Sequence, residues 1–200
     1  MEGRIFVTSD THFCHDKPFL YEPRGFSSIE EHDAAIVANW NSVVDEEDTV
    51  YMLGDAMLND NVRGVELFKQ LSGKIHYIIG NHDSDNRLYD MGIQCANIID
   101  FSYAARVKRG KFHFYLTHYP TLTANADDGK YLAQHVINLC GHRHHKNRFC
   151  DMNKGFIYHC ELDAHKNMPI EIDKIIDDLR FFSTLSMEDK NKIISMEEYD

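Results

Sequence analysis

Five times along the chain a short apolar run ends abruptly in Asp, Asn or His. The runs read RIFVTSDTH (4–12), TVYMLGD (49–55), IHYIIGNHD (75–83), FHFYLTHYP (112–120) and HVINLCGHRHH (135–145). Each run is about five residues long and rich in Val, Ile, Phe and Tyr, the composition of a buried β-strand. The polar cluster then falls at the C-terminal end of each strand. In an open α/β sheet that edge is where ligands bind.

Helical patterns separate the early runs. Ser28 with Glu31 has the spacing of a capping box, and Ile29, Ile36, Val37, Trp40, Val43 and Val44 follow a helical face. Val62, Val65, Phe68 and Leu71 predict a second helix that stops near Gly73, and 84–91 a third that ends at Gly92. Strand–helix–strand alternation implies parallel crossovers in the first half. Later, Phe101, Tyr103, Ala105 and Val107 alternate before Arg109-Gly110, which predicts a β-hairpin into the 111–117 run. A strand over 156–162 and a helix entered at Ile170 follow, then an acidic tail beyond Ser186 forming a short or frayed helix. The chain has no repeat and no Gly/Ser/Pro-rich linker. The expectation is one domain over 1–200, with 170–200 as a helical tail, in the α/β class with mixed sheets.

The balance of charge narrows the function. The net charge is −11, with Asp and Glu at 32 against Lys and Arg at 21. An extended nucleic-acid surface needs clustered basic residues, so none is expected. A nucleotide-sized anion stays open, because bound cations can supply the missing charge locally. No stretch approaches the roughly 18 apolar residues of a membrane span, and MEGRIFVTSD has no signal-peptide core. The five cysteines contain no CxxC, which reads as free thiols in a reducing cytoplasm. The thirteen histidines direct attention to metal binding.

The ligand-type residues at the strand ends are Asp10, His12, Asp55, Asn81, His118, His142 and His144. In extended backbone, residues i and i+2 point the same way, so Asp10 with His12, and His142 with His144, can each converge. Each signal alone has a plain alternative: an Asx turn, a helix cap or a solvated loop. Together they give seven side chains of mixed N and O type with no thiolate, too many for one tetrahedral zinc. That set suits two ions sharing a carboxylate. His145 falls out of phase with the His142/His144 pair and is left off the ligand set. His15, His32, His76, His113, His135, His159 and His165 read as structural rather than ligating, His15 and His165 least clearly.

The ordered series DTH (10–12), GD (54–55), GNHD (80–83), His118 and GHRH (141–144) resembles the calcineurin-like metallophosphoesterase superfamily, most of all its small single-domain prokaryotic and phage members. The resemblance implies two mixed β-sheets packed as a sandwich flanked by helices. It also implies that Asp10, His12 and His144 hold one divalent ion, that Asn81, His118 and His142 hold the other, and that Asp55 bridges them. His82 would contact the substrate phosphate as the catalytic residue. The chain reads GDAMLND, with Leu58 where protein Ser/Thr phosphatases of this superfamily carry the second aspartate of G-D-x-x-D-R-G, so protein phosphatase activity is not expected. The stretch HCELDAHKNMP departs further from the family pattern, and Asp83 and Asp60 are only nearby in sequence as groups to orient His82.

The function expected from this resemblance is hydrolysis of a phosphodiester or nucleotide by attack of a hydroxide bridging two ions roughly 3.5–4 Å apart. Mixed ligands of this kind suit Mn²⁺, with Fe or Zn²⁺ as alternatives. Arg24, Tyr21, Asn59, Arg143 and His15 are candidate pocket residues. Two other readings remain: an amidohydrolase, whose (β/α)₈ barrel usually needs about 250 residues, and a metal-free scaffold of the same fold.

Overall fold

The computed structural model of the protein describes residues 3–123 and 135–197. The first three apolar runs form β1 (Ile5–Thr8), β2 (Thr49–Met52) and β3 (Lys74–Ile78), which lie parallel and side by side. With β4 (Ile98–Ser102) and β9 (Ile170–Glu171) they make a five-stranded sheet, in the order β4-β3-β2-β1-β9. Only β9 runs antiparallel to its neighbour. A second sheet holds β5 (Ala104–Arg109), β6 (Phe112–Thr117), β7 (Val136–Cys140) and β8 (Ile157–His159) in that order. There β5 and β6 are antiparallel, and β6, β7 and β8 are parallel. The two mixed sheets flanked by helices match the expected class, and among the described residues the strands form these two sheets rather than a (β/α)₈ barrel, which removes the amidohydrolase reading.

The near-continuous apolar character of the runs has a simple cause: the first sheet is buried on both faces. Along β1, Phe6 enters one core and Val7 the other, as the period of two requires. Val50, Met52, Ile75 and Tyr77 join Phe6 beneath the helices α2 (Ile29–Val43), α3 (Asn61–Phe68) and α4 (Asp85–Gln94), which contribute Ile36, Trp40, Val65, Phe68 and Met91. Leu53 and Ile78 join Val7 in the second core, against Phe114, Leu116, Ile137, Leu139 and Tyr158. The short α1 (Pro18–Tyr21) lies between β1 and α2. Among the described residues no helix is long and apolar enough to cross a membrane.

Several elements differ from the sequence expectation. The cap of α2 is offset: Ser28 Oγ accepts from Glu31 N, but the Glu31 carboxylate reaches back to Ser27 rather than Ser28. Helix α4 runs through Gly92 to Gln94, since a helical glycine costs only about 1 kcal/mol and burial of Met91 holds the turn. The expected strand through Phe101 and Val107 is two strands in different sheets, joined at the exposed Tyr103. Phe101 packs on Tyr77 in the first core, ring centroids 5.5 Å apart, while Val107 belongs to the second. The strand expected over 156–162 is only Ile157–His159. Ile170 begins not a helix but β9, after which α5 (Ile172–Thr184) buries Ile172, Ile175, Ile176 and Leu179 in the second core. The acidic tail forms α6 (Met187–Ile194), capped by Ser186, and its last three residues lie outside the described segments.

Candidate metal centre

The strands deliver their polar ends to one place through backbone pairing that continues past the strand termini. Asp10 N donates to Gly54 O and His12 N to Asp55 O, both at 3.1 Å, so the DTH and GD segments run alongside each other. Gly141 N donates to His118 O at 2.9 Å and joins the other two motifs in the same way. The glycines that precede the ligands are set by close approach. A Cβ on Gly80 would lie 2.3 Å from Asp55 Oδ1, and one on Gly141 would lie 1.9 Å from Ser9 Oγ and 2.5 Å from Asp10 Oδ2.

Convergence of the alternate residues does not come from extended backbone, as the sequence suggested. Strand β1 ends at Thr8 and β7 at Cys140, before the ligand pairs begin. Asp10, His12, Asp55, His142 and His144 all take left-handed φ, at 59°, 47°, 55°, 77° and 52°. Each such residue costs about 1–2 kcal/mol, and strain of this kind clusters where function over-determines the backbone.

Two groupings result. Asp10, His12 and His144 each offer a ligand atom, all within 4.8 Å of one another, and Asp55, His118 and His142 do the same. In the first, His12 Nε2 and His144 Nε2 lie 3.6 and 3.7 Å from Asp10 Oδ1. In the second, His118 Nε2 lies 3.4 Å from Asp55 Oδ2 and 2.8 Å from Asn81 Oδ1, which brings the seventh residue in. The groupings are stitched together, since Asp10 Oδ2 accepts from His142 N at 2.9 Å.

The donor atoms fit a cation. Asp10 Oδ1 and both ring nitrogens of His12 are buried without a hydrogen-bond partner, an arrangement that is costly unless something else satisfies them. Burial pushes the His12 imidazole down to about 4, so it stays neutral with a lone pair to offer.

Supporting groups fix the rings. His118 Nδ1 faces Leu53 O at 2.7 Å, leaving Nε2 toward Asp55. Its pKa has a consequence. Burial alone would lower it, but the hydrogen bond to Asp55 and the charge of Asp10 raise it to about 9. A cation must expel that proton, so divalent-metal affinity should rise by at least about tenfold per pH unit from 7 toward 9, then level off. Chelator-competition titrations at several pH values would check this.

His144 Nδ1 lies 3.0 Å from Asp163 Oδ2, a carboxylate–histidine pair that orients Nε2 toward Asp10. Asp163, unassigned in the sequence reading, has a side chain only 8% exposed and is clamped by Arg24, whose Nε and Nη2 reach its two oxygens at 3.0 and 2.8 Å. Burial alone would raise the Asp163 carboxyl, but Arg24 and His144 hold it well below the usual range. Its signal lay in HCELDAHK, the stretch that departs from the family pattern. Asp163→Asn is expected to weaken metal binding about 10–100-fold, as loss of such an outer partner does elsewhere. The same competition assay would show it.

The remaining candidates divide. Arg24 is buried structure rather than pocket, and Tyr21 is buried too. Asn59 donates to Cys14 O at 3.3 Å, and Arg143 is exposed. His15 does border the site, its ring centroid 5.3 Å from that of His12. His82 lies at the mouth, its side chain 45% exposed, with Nε2 4.0 Å from Asp55 Oδ2. Its amide donates to Asp55 Oδ1 at 2.8 Å, its carbonyl accepts from Arg87, and its ring meets His12 edge-on. Asp83 does not orient that ring. Its oxygens accept from Gly80 N, Asp55 N and Tyr77 Oη, locking the GNHD turn against the GD turn. Asp60 caps α3.

A two-sheet sandwich carrying paired Asp/His groupings at its strand ends defines a metallohydrolase class of site. The family is specific: the calcineurin-like phosphoesterase superfamily domain matches residues 4–159, and the chain belongs to that superfamily. An uncharacterised protein of Methanocaldococcus jannaschii is 44% identical over 82 residues, covering 40% of this chain and 47% of that protein, so the match spans under half the relative's length. The gene 66 protein of Mycobacterium phage D29 is 26% identical over 197 residues, 88% of this chain and 98% of the phage protein. Among solved structures, a protein of unknown function from Aquifex aeolicus superposes with a TM-score of 0.63 at 22% identity, over 88% of this chain and 99% of that one. That likeness concerns the fold.

Proposed function

We propose that the chain is a phosphoesterase dependent on two divalent cations, acting on small phosphodiesters or nucleotides. The observation that carries this is the pair of groupings at one sheet edge, with the buried atoms of Asp10 and His12 left unpartnered. Asp10, His12 and His144 would hold one cation, Asn81, His118 and His142 the other, and Asp55 would be shared. Bound there, two divalent cations supply positive charge to phosphoryl oxygens and make water nucleophilic near neutral pH.

The chain's own residues do the rest. Asp163 and Leu53 O hold the His144 and His118 rings so that Nε2 faces inward. Asp55 Oδ1 fixes the His82 amide, which sets the exposed imidazole over the site. From there His82 would donate a hydrogen bond to the phosphoryl group, or a proton to the departing oxygen. His15 would border the substrate beside His12. Cations also resolve the charge problem: a protein of net charge −11 would otherwise repel its anionic substrate. Mn²⁺ is our choice among the ions this mixed N/O set suits, ahead of Fe and Zn²⁺. The free state of all five cysteines accords with a reducing, cytoplasmic setting.

Hydrolysis of bis-p-nitrophenyl phosphate with added Mn²⁺, and its loss in EDTA, is the test. A panel of dinucleotides, cyclic nucleotides and monoesters then ranks substrates. No hydrolysis of any ester with any divalent metal would leave a metal-free scaffold as the reading.

A further inference from the structure

His145, out of phase with the ligand pair beside it, belongs to a different cluster. Its ring meets that of His159 edge-on, centroids 4.8 Å apart. Asp151 Oδ2 lies 2.9 Å from His159 Nε2. One ligand atom from each of His145, Cys150, Asp151 and His159 lies within 4.8 Å of the others. We propose that these four residues form a second, separate metal site, a closed structural site of the zinc class.

The chemistry of the donor set selects the ion. One sulfur, two imidazoles and one carboxylate complete a tetrahedron, and a thiolate excludes Mg²⁺ and Ca²⁺ while suiting Zn²⁺. Tetrahedral Zn–N and Zn–S bonds would place the donors about 3.3–3.8 Å apart, inside the 4.8 Å within which the four ligand atoms already lie.

The outer partners are already built. The fully buried Glu161 places Oε1 3.0 Å from His159 Nδ1 and 3.2 Å from Arg143 N, the carboxylate–histidine arrangement that fixes which ring nitrogen is offered to a metal. Lys154 Nζ takes the other Asp151 oxygen at 2.7 Å, leaving Oδ2 for the cluster. His159 itself is buried, and the Asp151 side chain is only 13% exposed.

The placement suggests what the ion does. His145 follows β7, Cys150 and Asp151 stand at the turn before a short 3-10 segment (Met152–Lys154), and His159 ends β8. The excursion over 141–156 also carries His142 and His144 at its start. An ion would tie the far part of this loop to β8 and so brace the catalytic imidazoles. The competing account is a metal-free His159 imidazolium between Asp151 and Glu161.

The two are separable spectroscopically, because no cysteine belongs to the catalytic ligand set. Chelator-stripped protein would be reloaded with Co²⁺ alone. A thiolate-to-cobalt charge-transfer band should appear in the wild type and in Asp55→Ala, and vanish in Cys150→Ser. After Zn²⁺ loading and gel filtration, Cys150→Ser should carry one ion fewer per chain than wild type. Absence of the band from wild type, its survival in Cys150→Ser, or equal zinc contents would overturn the proposal. The wild-type arm stands even if a variant misfolds. Phosphoester hydrolysis is read separately, so failure here and failure of the phosphoesterase reading are distinct outcomes.

Discussion

Asp55→Ala is expected to lower kcat on bis-p-nitrophenyl phosphate by about a thousandfold or more, equivalent to about 4 kcal/mol of lost transition-state stabilisation. Three functions of Asp55 go at once. Its carboxylate is the negative group proposed to be shared by both cations, and its Oδ2 lies 3.4 Å from His118 Nε2. Its Oδ1 anchors the amide of His82, so the GNHD turn loses its tether to the site. Asp55 also stands at φ 55°, where alanine is less comfortable than aspartate. Asp55→Asn keeps shape and backbone preference while removing charge, and should lose nearly as much activity. If Asp55→Asn retained wild-type turnover with Mn²⁺, the shared-carboxylate role would be wrong. Metal content measured alongside kcat should fall in both variants.

His82→Ala should behave differently. Its ring joins neither ligand grouping, and the contacts that hold residue 82 are made by its backbone, to Asp55 Oδ1 and from Arg87. Removing the imidazole should therefore leave metal content unchanged while kcat falls about 10²–10⁴-fold, the range of a positioned acid–base group. The leaving group provides a second readout. If His82 protonates the departing oxygen, the deficit should be largest for poor alkoxide leaving groups and smaller for p-nitrophenolate. Equal deficits across leaving groups would restrict His82 to stabilising phosphoryl charge. Unchanged kcat would remove it from the mechanism.

How much of this was legible in the chain depended on the distance over which each feature is encoded. The apolar runs and their polar ends are local, so five strands, and the ligand-type residues at their ends, could be read from them directly. The way Asp10 meets His12 could not. The pattern DxH is the same whether the backbone is extended or left-handed, and neighbouring turns forced the latter. Asp163 was missed because its role depends on His144 and Arg24, 19 and 139 residues away in sequence. Gly92 and Tyr103 misled for a related reason: burial of Met91, and packing of Phe101 on Tyr77, outweighed local breaking and alternation signals. His145 was set apart from the pair beside it by phase alone, and its neighbours Cys150, Asp151 and His159 become visible only when the loop folds back onto β8.

The central claim is that two cations at one strand edge make this chain a phosphoesterase, and stepwise metal loading tests it most directly. Chelator-stripped wild-type protein would be titrated with Mn²⁺, a hard ion that the thiolate-bearing cluster disfavours, while bis-p-nitrophenyl phosphate hydrolysis is followed. The expected result is no turnover without metal and a plateau only once two equivalents per chain are bound, with Asp55→Ala inactive throughout. Full activity in the stripped protein, or none at any loading, would contradict it.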